Sequence, residues 1–320
     1  MGTELRVAVI GRGFGARVVA PVFAATPGCT VVDVVSPRDL GAIDAAVDRA
    51  DLVAVHAPPF AHRALVERAI DAGRAVLCDK PFGTSVEDAE AMADRAARAG
   101  VPVFVNFEFR YHPVRAALRQ LVRDGAVGEV EHVAWSAYNS GSRQPLRPYG
   151  WLFDATRGGG WIGAWGSHAL DFLRWTFGEV VAASALLRTA VAERPDAEGI
   201  LRPCTAEDGF TATLDHAGGA TVTIDTSFVA RATVPQRVTV LGSTGVLEVT
   251  ADRRIVRRDE TGTEELVALQ PANEDPHLVP MRRWTTVVRD AVTGGVVDPD
   301  AATGADGVAC ARIMDALRGR

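Results

Sequence analysis

A single lysine stands among the basic residues of this sequence. Of the 34 Lys and Arg residues, all are arginine except Lys80, in a chain rich in Ala, Gly, Val and Arg. Arginine replaces lysine readily on a solvated surface, but a guanidinium is bulky and effectively always charged. It cannot replace a compact ammonium that acts beside a reacting oxygen. We therefore predict that Lys80 contacts a substrate oxygen; the alternative is chance survival in a chain of biased composition.

A histidine near the middle of the chain is the second candidate. His168 and Asp171 lie three residues apart in a segment with helical periodicity, so they share one helix face. A carboxylate at this spacing can orient an imidazole and raise its basicity, which suits a proton acceptor. The alternative is a histidine at a helix N-terminus that satisfies only backbone groups.

A glycine-rich turn separates the first predicted strand from the first predicted helix. Gly11, Gly13, Phe14 and Gly15 follow the apolar run Leu5–Ile10. Glycines at these positions allow a tight turn and let a pyrophosphate approach the N–H groups of a helix N-terminus. The order strand, turn and helix predicts a dinucleotide site, and a purely structural turn is the alternative.

The end of the second predicted strand bears on which nicotinamide cofactor binds. A carboxylate at this point accepts the ribose 2′-OH and repels a 2′-phosphate. Here the strand ends in Ser36-Pro37-Arg38, and Asp33 lies inside the strand, short of its end. We predict NADP, with Ser36 and Arg38 at the 2′-phosphate, and NAD is the alternative.

Two patterns of elements position these groups. In the first hundred residues, short β-branched runs alternate with Ala-rich helical stretches, which predicts a parallel sheet with crossover helices. Later, helices at Pro113–Arg123 and Ser167–Phe177 precede alternating strands within residues 210–258, which predicts a mainly antiparallel open sheet.

The predicted fold class is therefore an α/β Rossmann domain plus an α+β domain with a large, mainly antiparallel open sheet. We expect residues 1–108 to bind the dinucleotide and residues 109–320 to bind substrate and to oligomerise. The final helix is expected to pack back on the first domain. The alternating apolar residues within positions 210–241 would expose a large apolar face, which predicts a homodimer or homotetramer.

Composition excludes several classes of protein. The 320 residues are enough for two domains with their own cores, and a net charge of −6 gives no general attraction to nucleic acid. The four cysteines form no CxxC or Cys/His cluster, so we predict no metal site, no disulfide framework and a cytoplasmic location. No apolar stretch approaches the roughly 20 residues of a membrane helix, so no membrane partner is expected.

A resemblance to a known family becomes specific at Cys78-Asp79-Lys80-Pro81-Phe82. A strand, an acidic residue, Lys-Pro and then a helix are similar to the Glu-Lys-Pro signature of the glucose-fructose oxidoreductase/inositol dehydrogenase (Gfo/Idh/MocA) family. The likeness covers nearly the whole chain: the glycine turn, Ala57-Pro58-Pro59 with His62, residues 106–111 with Pro113, and residues 158–160 before Gly166-Ser167-His168 and Asp171.

The resemblance implies roles for individual residues. By match of motif, Lys80 hydrogen-bonds the reacting hydroxyl beside the nicotinamide, and His168 accepts the proton. Together with the patterns above, it places the cofactor contacts at Gly11, Gly13, Phe14, Gly15, Ser36, Arg38, Ala57, Pro58, His62, Asp79, Lys80 and Pro81. The candidate substrate contacts are Tyr111, Asp154, Trp165 and Asp171, with aromatic packing as the alternative for Tyr111 and Trp165.

The chain departs from the family pattern in three places. Ala164 stands where the family commonly has an Asp four residues before the histidine, and the Lys-Pro motif begins with Asp79 rather than Glu. The span between the second strand and Ala57-Pro58-Pro59 is short for the family. Asp154 is the candidate to replace the missing carboxylate, and a solvated loop acid is the alternative.

These observations lead to one expected activity and two rivals. We expect an NAD(P)-dependent oxidoreductase that acts on a secondary alcohol or ketone of a sugar, cyclitol or related polyol. The first rival is a catalytically silent NADP-binding sensor or scaffold, which Ala164 favours and the lone Lys80 opposes. The second is C–C or C–O cleavage that begins with a transient oxidation.

Overall fold

The computed structural model describes residues 4–270, 273–295 and 297–319. The chain forms two compact units. The first consists of the residues up to His112 together with Glu274–Arg312, and the second of Pro113–Asn273 with the residues from Ile313 onward. The segment Glu274–Arg312, which lies inside the expected second domain, therefore belongs to the first unit.

The first unit contains a five-stranded parallel sheet with the order β2-β1-β3-β4-β5. Three of its strands are buried apolar runs throughout, as expected for a sheet covered on both faces. A π-helical turn at Gly15–Val19 leads into α1. The elements are β1 (Leu5–Ile10), α1 (Ala20–Ala25), β2 (Cys29–Val35), α2 (Leu40–Arg49), β3 (Leu52–Val55), α3 (Pro59–Asp71), β4 (Ala75–Cys78), α4 (Val86–Ala99) and β5 (Val103–Val105).

The second unit contains an eight-stranded sheet with the order β15-β14-β13-β12-β6-β11-β10-β7, in which β6 and β11 are parallel and the other neighbours antiparallel. The elements are α5 (Pro113–Arg123), β6 (Val130–Tyr138), α6 (Ser167–Phe177), β7 (Val180–Arg188), β8 (Glu193–Pro195), β9 (Leu201–Pro203), β10 (Gly209–His216), β11 (Thr221–Ser227), β12 (Val234–Gly242), β13 (Gly245–Thr250), β14 (Arg254–Asp259) and β15 (Gly262–Ala268). The predicted fold class is confirmed.

One face of this large sheet is buried within its own unit. Phe210, Ala212 and Leu214 of β10 are buried and alternate with more exposed Thr and Asp residues. Trp135 of β6 packs edge-to-face on Phe172 of α6, with 5.7 Å between ring centroids. The prediction of an exposed apolar face is wrong, because these alternating apolar residues pack inside the unit and their polar neighbours line the open face.

The helices α7 (Leu278–Val292) and α8 (Gly304–Leu317) follow the large sheet. Trp284 of α7 is fully buried; it stacks on Tyr111 at 5.4 Å and meets Phe104 of β5 edge-to-face at 6.0 Å. Arg110, in the 3-10 turn after β5, forms a 2.9 Å ion pair with Asp306 of α8. These contacts attach Glu274–Arg312 to the β5 edge of the parallel sheet.

The first turns of α8 pack against the residue that follows the Lys-Pro motif. Phe82 is buried, and Gly304 and Gly307 both face its ring. A Cβ added at Gly307 would lie 2.6 Å from the Phe82 ring, whereas one added at Gly304 would lie 3.8 Å from it. Only Gly307 therefore needs to be glycine for α8 to approach Phe82.

Because the two glycines differ in their distance to Phe82, substitution of each by alanine tests the packing of α8 against Phe82. Gly307→Ala should lower the free energy of unfolding by about 1–3 kcal/mol, because the added methyl group overpacks against Phe82. Gly304→Ala should be neutral or should stabilise by up to about 1 kcal/mol, since alanine is the better helix former. Urea denaturation measures both, and equal stabilities of the two variants would contradict the packing described here.

Candidate functional site

The glycine turn between β1 and α1 has the shape that a dinucleotide requires. Gly11 has a φ of +145°, and a Cβ there would lie 2.1 Å from the carbonyl oxygen of His56. A Cβ at Gly15 would lie 3.1 Å from the Cβ of His56, whereas one at Gly13 would meet nothing within 4 Å. Gly11 and Gly15 thus allow close packing at the end of β3, and Gly13 leaves open space at the helix N-terminus. That space suits a pyrophosphate.

Asp79, directly after β4, is the centre of the hydrogen bonding around the Lys-Pro turn. Its Oδ1 accepts from the backbone N–H of Lys80 at 3.0 Å and from Nδ2 of Asn106 at 3.4 Å. Its Oδ2 lies 3.5 Å from Nδ1 of His56. Burial opposes ionisation of this carboxyl, but the hydrogen bond and charge of His56 and the charge of Lys80 hold its pKa well below the usual range.

His62 connects two turns that were both predicted to contact cofactor. The ring is fully buried, with Nδ1 3.0 Å from the carbonyl oxygen of Pro81 and Nε2 2.7 Å from that of Ala57. Burial lowers the pKa of His62, and the charge of Asp79 opposes this shift. Because backbone oxygens face both ring nitrogens, His62 positions Ala57 and the half-buried Lys80 turn through the backbone. Direct contact of its ring with a cofactor has no support in this geometry.

The residues expected to choose between NAD and NADP lie inside β2 or just after it. Asp33, inside β2, forms an ion pair with Arg49 of α2. Ser36 accepts a hydrogen bond from the backbone N–H of Arg38 at 3.3 Å, and the side chain of Arg38 is exposed. The one acidic group of this strand is therefore held by an arginine of the following helix.

In the second unit, His168 and Asp171 lie on the first turns of α6, and both are buried. A π-helical turn at Ile162–Gly166 precedes the helix and carries the half-buried Ala164 and Trp165. Single π-helical turns are frequent at functional sites, and in the first unit another one, Gly15–Val19, begins at the last glycine of the glycine turn. The structure thus brings together three of the predicted residues: His168, Asp171 and Trp165.

Aromatic rings surround Trp165. Trp161 stacks parallel to it at 5.9 Å, and Trp135 meets it edge-to-face at 5.4 Å. Trp161 itself is buried, stacks on Phe228 at 4.2 Å and donates from Nε1 to Oγ1 of Thr226 at 2.9 Å. Trp161 is therefore a core residue, whereas Trp165 is half-buried.

Two predicted substrate contacts have local structural partners instead. Asp154 accepts hydrogen bonds from the backbone N–H and the hydroxyl of Thr156, at 2.9 and 2.7 Å, and so caps a 3-10 turn. Tyr111 stacks on Trp284, and its hydroxyl has no hydrogen-bond partner among the residues described. Burial raises the pKa of Tyr111, so the phenol stays protonated and is a poor proton donor. Both residues thus have structural contacts, and their contact with substrate stays a prediction.

The structure also reveals a pair that the sequence did not indicate. Glu108, in the 3-10 turn after β5, is fully buried, and its Oε1 lies 2.6 Å from Nδ1 of His277. His277 directly precedes α7, 169 positions along the chain. Glu108 falls within the run 106–111 that resembles the family, but no spacing rule connects it with His277.

Within residues 4–270, 273–295 and 297–319, no cluster of three or more His, Cys, Asp or Glu side chains is arranged to hold a metal ion. None of the helices described combines the length and apolar character needed to cross a bilayer.

Comparisons with known proteins provide independent information. Residues 5–107 match a model described as an oxidoreductase family with an NAD-binding Rossmann fold, and residues 116–248 match the GFO/IDH/MocA C-terminal domain. An uncharacterized oxidoreductase of Synechocystis is 30% identical over 269 residues, which are 78% of this chain and 72% of that protein. D-apiose dehydrogenase of Paraburkholderia graminis is 32% identical over 271 residues, 82% of this chain and 64% of that enzyme.

The fold has solved counterparts. A levoglucosan dehydrogenase in complex with NADH and levoglucosan superposes with a TM-score of 0.84 and 21% identity, over 98% of this chain and 96% of that one. The two matched domain models follow one another along most of the sequence, in the order that the motifs predicted. The chain therefore belongs to the Gfo/Idh/MocA family of oxidoreductases.

Proposed function

We propose that this protein is an NAD(P)-dependent dehydrogenase or reductase that interconverts a secondary alcohol and a ketone in a sugar, cyclitol or related polyol. The observation that carries the proposal is the fixed Lys80 turn: the lone lysine follows the Asp79 carboxylate, which also contacts His56 beside the glycine turn. The names of the relatives, a D-apiose dehydrogenase and a levoglucosan dehydrogenase, support a sugar-type substrate.

Each residue has one task in this proposal. The bound dinucleotide supplies the redox chemistry, and the turn at Gly11, Gly13 and Gly15 holds it. Lys80 donates a hydrogen bond to the substrate oxygen and stabilises the negative charge that develops there. His168 accepts or returns the hydroxyl proton, with Asp171 on the same helix face to orient its ring.

The strongest rival is a protein that binds cofactor without turnover. Ala164 favours it, since the family's usual carboxylate is missing, and Asp154, the candidate to replace that group, caps its own turn through Oδ1. A sensor has no chemical need for an ammonium at position 80, however. The choice between the two functions therefore depends on what Lys80 does.

Substitution of Lys80 separates the two. Lys80→Ala should lower turnover by about 10²–10⁴, as expected for a lost hydrogen-bond donor and acid, while cofactor affinity stays close to that of the native protein. Lys80→Arg should fail nearly as badly, because a guanidinium does not fit the same place. Absorbance of NADPH and NADH with D-apiose, levoglucosan and inositol as substrates provides the measurement.

Companion variants complete this test. His168→Ala should lose activity to a similar degree, and His132→Ala, on β6, serves as the matched histidine control. A fully active Lys80→Arg variant would overturn the role of Lys80. If no substrate changes the absorbance and Lys80→Arg still responds to ligand, the sensor is correct. Product without net change in cofactor would support cleavage by transient oxidation.

We further propose that NADP is the preferred cofactor. Asp33 is paired with Arg49 and so does not present an unpaired charge to a 2′-phosphate. The exposed Arg38 and the hydroxyl of Ser36 follow the end of β2, at the position that contacts the ribose in this fold.

Fluorescence titration should show NADPH binding at least about tenfold tighter than NADH, a difference of roughly 1.4 kcal/mol. Arg38→Ala should remove most of this preference by weakening NADPH alone, because NADH lacks the 2′-phosphate. Arg98→Ala, at the exposed end of α4, is the control and should change neither affinity. Equal affinities of the native protein for the two cofactors would rule out the preference.

We also propose that the protein self-associates, through the edge strand β7 rather than through the apolar residues within positions 210–241. The edge strand β7 ends the order of the large sheet, and Val181 and Leu186 on it are 67% and 76% exposed. An exposed apolar edge strand is a common site of pairing between chains. A second copy of this chain is the partner that we propose for this edge.

Light scattering at micromolar concentration should give a dimer or tetramer. Leu186→Lys should shift the protein toward the monomer, because a charge on the edge disfavours strand pairing. Leu40→Lys changes a leucine that is 57% exposed at the start of α2 and should leave the assembly intact. A monomeric native protein would refute self-association.

A further inference from the structure

Glu108 and His277 form an ion pair in the first unit. Among the ion pairs described, it alone joins a fully buried carboxylate to a partly exposed histidine. Glu108 is 1% exposed and His277 is 30% exposed, and 2.6 Å separates Oε1 from Nδ1. A buried carboxylate is costly unless it is paired and hydrogen-bonded. His277 supplies that partner from the segment in front of α7.

His277 also lies against the glycine turn. Its ring meets the ring of Phe14 edge-to-face, with 4.9 Å between centroids and an angle of 71°. The ring of Phe109 also lies close, with 5.1 Å between centroids. Phe14 stands between Gly13 and Gly15, so one ring contact separates His277 from the turn that would hold an anionic cofactor.

The charges around His277 come from three segments. Glu108 faces it from the turn after β5, Lys80 from the Lys-Pro turn, and Asp275 from its own segment. Burial and the Lys80 charge disfavour the imidazolium, but the hydrogen bond and charge of Glu108 outweigh them and raise the pKa of His277. The protonated ring of His277 is therefore favoured to higher pH than that of an ordinary histidine.

We propose that His277, held as an imidazolium by Glu108, is a cationic anchor for the dinucleotide at the glycine turn, so that cofactor affinity falls when His277 loses its proton. This inference rests on the proposed function, since it assumes that the glycine turn binds a nicotinamide dinucleotide. The pyrophosphate of that ligand is anionic, and a positive charge one ring away favours it. The contact with Phe14 also fixes the shape of the turn.

The direction of the pH dependence follows from linkage. A group that must be protonated in the complex supports binding below its pKa in the free protein, and this support is lost as the pH rises through that value. The dissociation constant should then increase by up to about tenfold per pH unit until the pKa of the complex is reached. Reciprocally, bound cofactor should raise the pKa of His277.

The test measures NADPH and NADH binding by protein fluorescence between pH 6 and 9. The native protein should lose at least about tenfold in affinity for the tighter cofactor across this range. His277→Gln, which keeps a hydrogen-bond donor but no charge, should bind about tenfold more weakly at pH 6 and show little pH dependence. Glu108→Gln should move the loss of affinity to lower pH by about one unit or more, because the ring loses its counter-charge.

A second measurement does not depend on cofactor at all. The Cε1–H signal of His277 in the NMR spectrum of the free protein should titrate above the ordinary value of about 6.5 and fall in Glu108→Gln. His132→Gln is the matched control and should bind cofactor with the native pH profile. Thermal melting identifies any variant that has not folded. In that case, NMR titrations of His277 in the native protein, with and without NADPH, show whether bound cofactor raises its pKa.

The outcomes separate this inference from the proposed function. If NADPH and NADH bind with the same affinity from pH 6 to 9 while His277 titrates, the anchor is refuted and the proposed function stands. If neither cofactor binds at any pH, the proposed function fails. An unshifted His277 signal on cofactor binding would also refute the anchor.

Discussion

The position of the Lys80 turn depends on one carboxylate that has little water around it. Asp79 accepts hydrogen bonds from the backbone of Lys80 and from Asn106, and it approaches His56, so groups from three strand ends converge on it. An ionised carboxylate with this little solvent must find such donors, because desolvation is otherwise too costly. The shorter Asp, in place of the family's Glu, still reaches all three. The contacts that compensate the charge of Asp79 thus fix the end of β4 relative to the ends of β3 and β5.

The glycine turn shows how one motif can serve two physical purposes. Gly11 and Gly15 are required because the end of β3 packs against them, and side chains there would collide with His56. Gly13 has no such neighbour, so packing does not explain it and ligand approach does. The same division is found under the Lys-Pro turn, where Gly307 is tightly packed and Gly304 is not.

Local patterns predicted the elements and the motifs well, but not the contacts that join distant segments. The alternation of β-branched and Ala-rich runs predicts β1, β3 and β4, and Lys-Pro with the glycine turn identifies the cofactor side. Helix α2 is not among the predicted elements, although its buried Ile43, Ala46 and Val47 recur at helical spacing, and Arg49 of that helix neutralises Asp33. Nor does the sequence reveal the Glu108–His277 pair, since tertiary packing alone brings them together.

The solitary lysine allows selective chemical labelling of this protein at one side chain. Lys80 carries the one side-chain primary amine in the sequence, and it is half-buried in a turn fixed by Asp79. An amine-selective acylating reagent therefore has a single side-chain target, without background from other lysines. Protection of that amine by a small molecule, followed by mass spectrometry of the intact chain, would read out occupancy of the Lys80 turn directly. Compounds could be screened in this way before any substrate is identified.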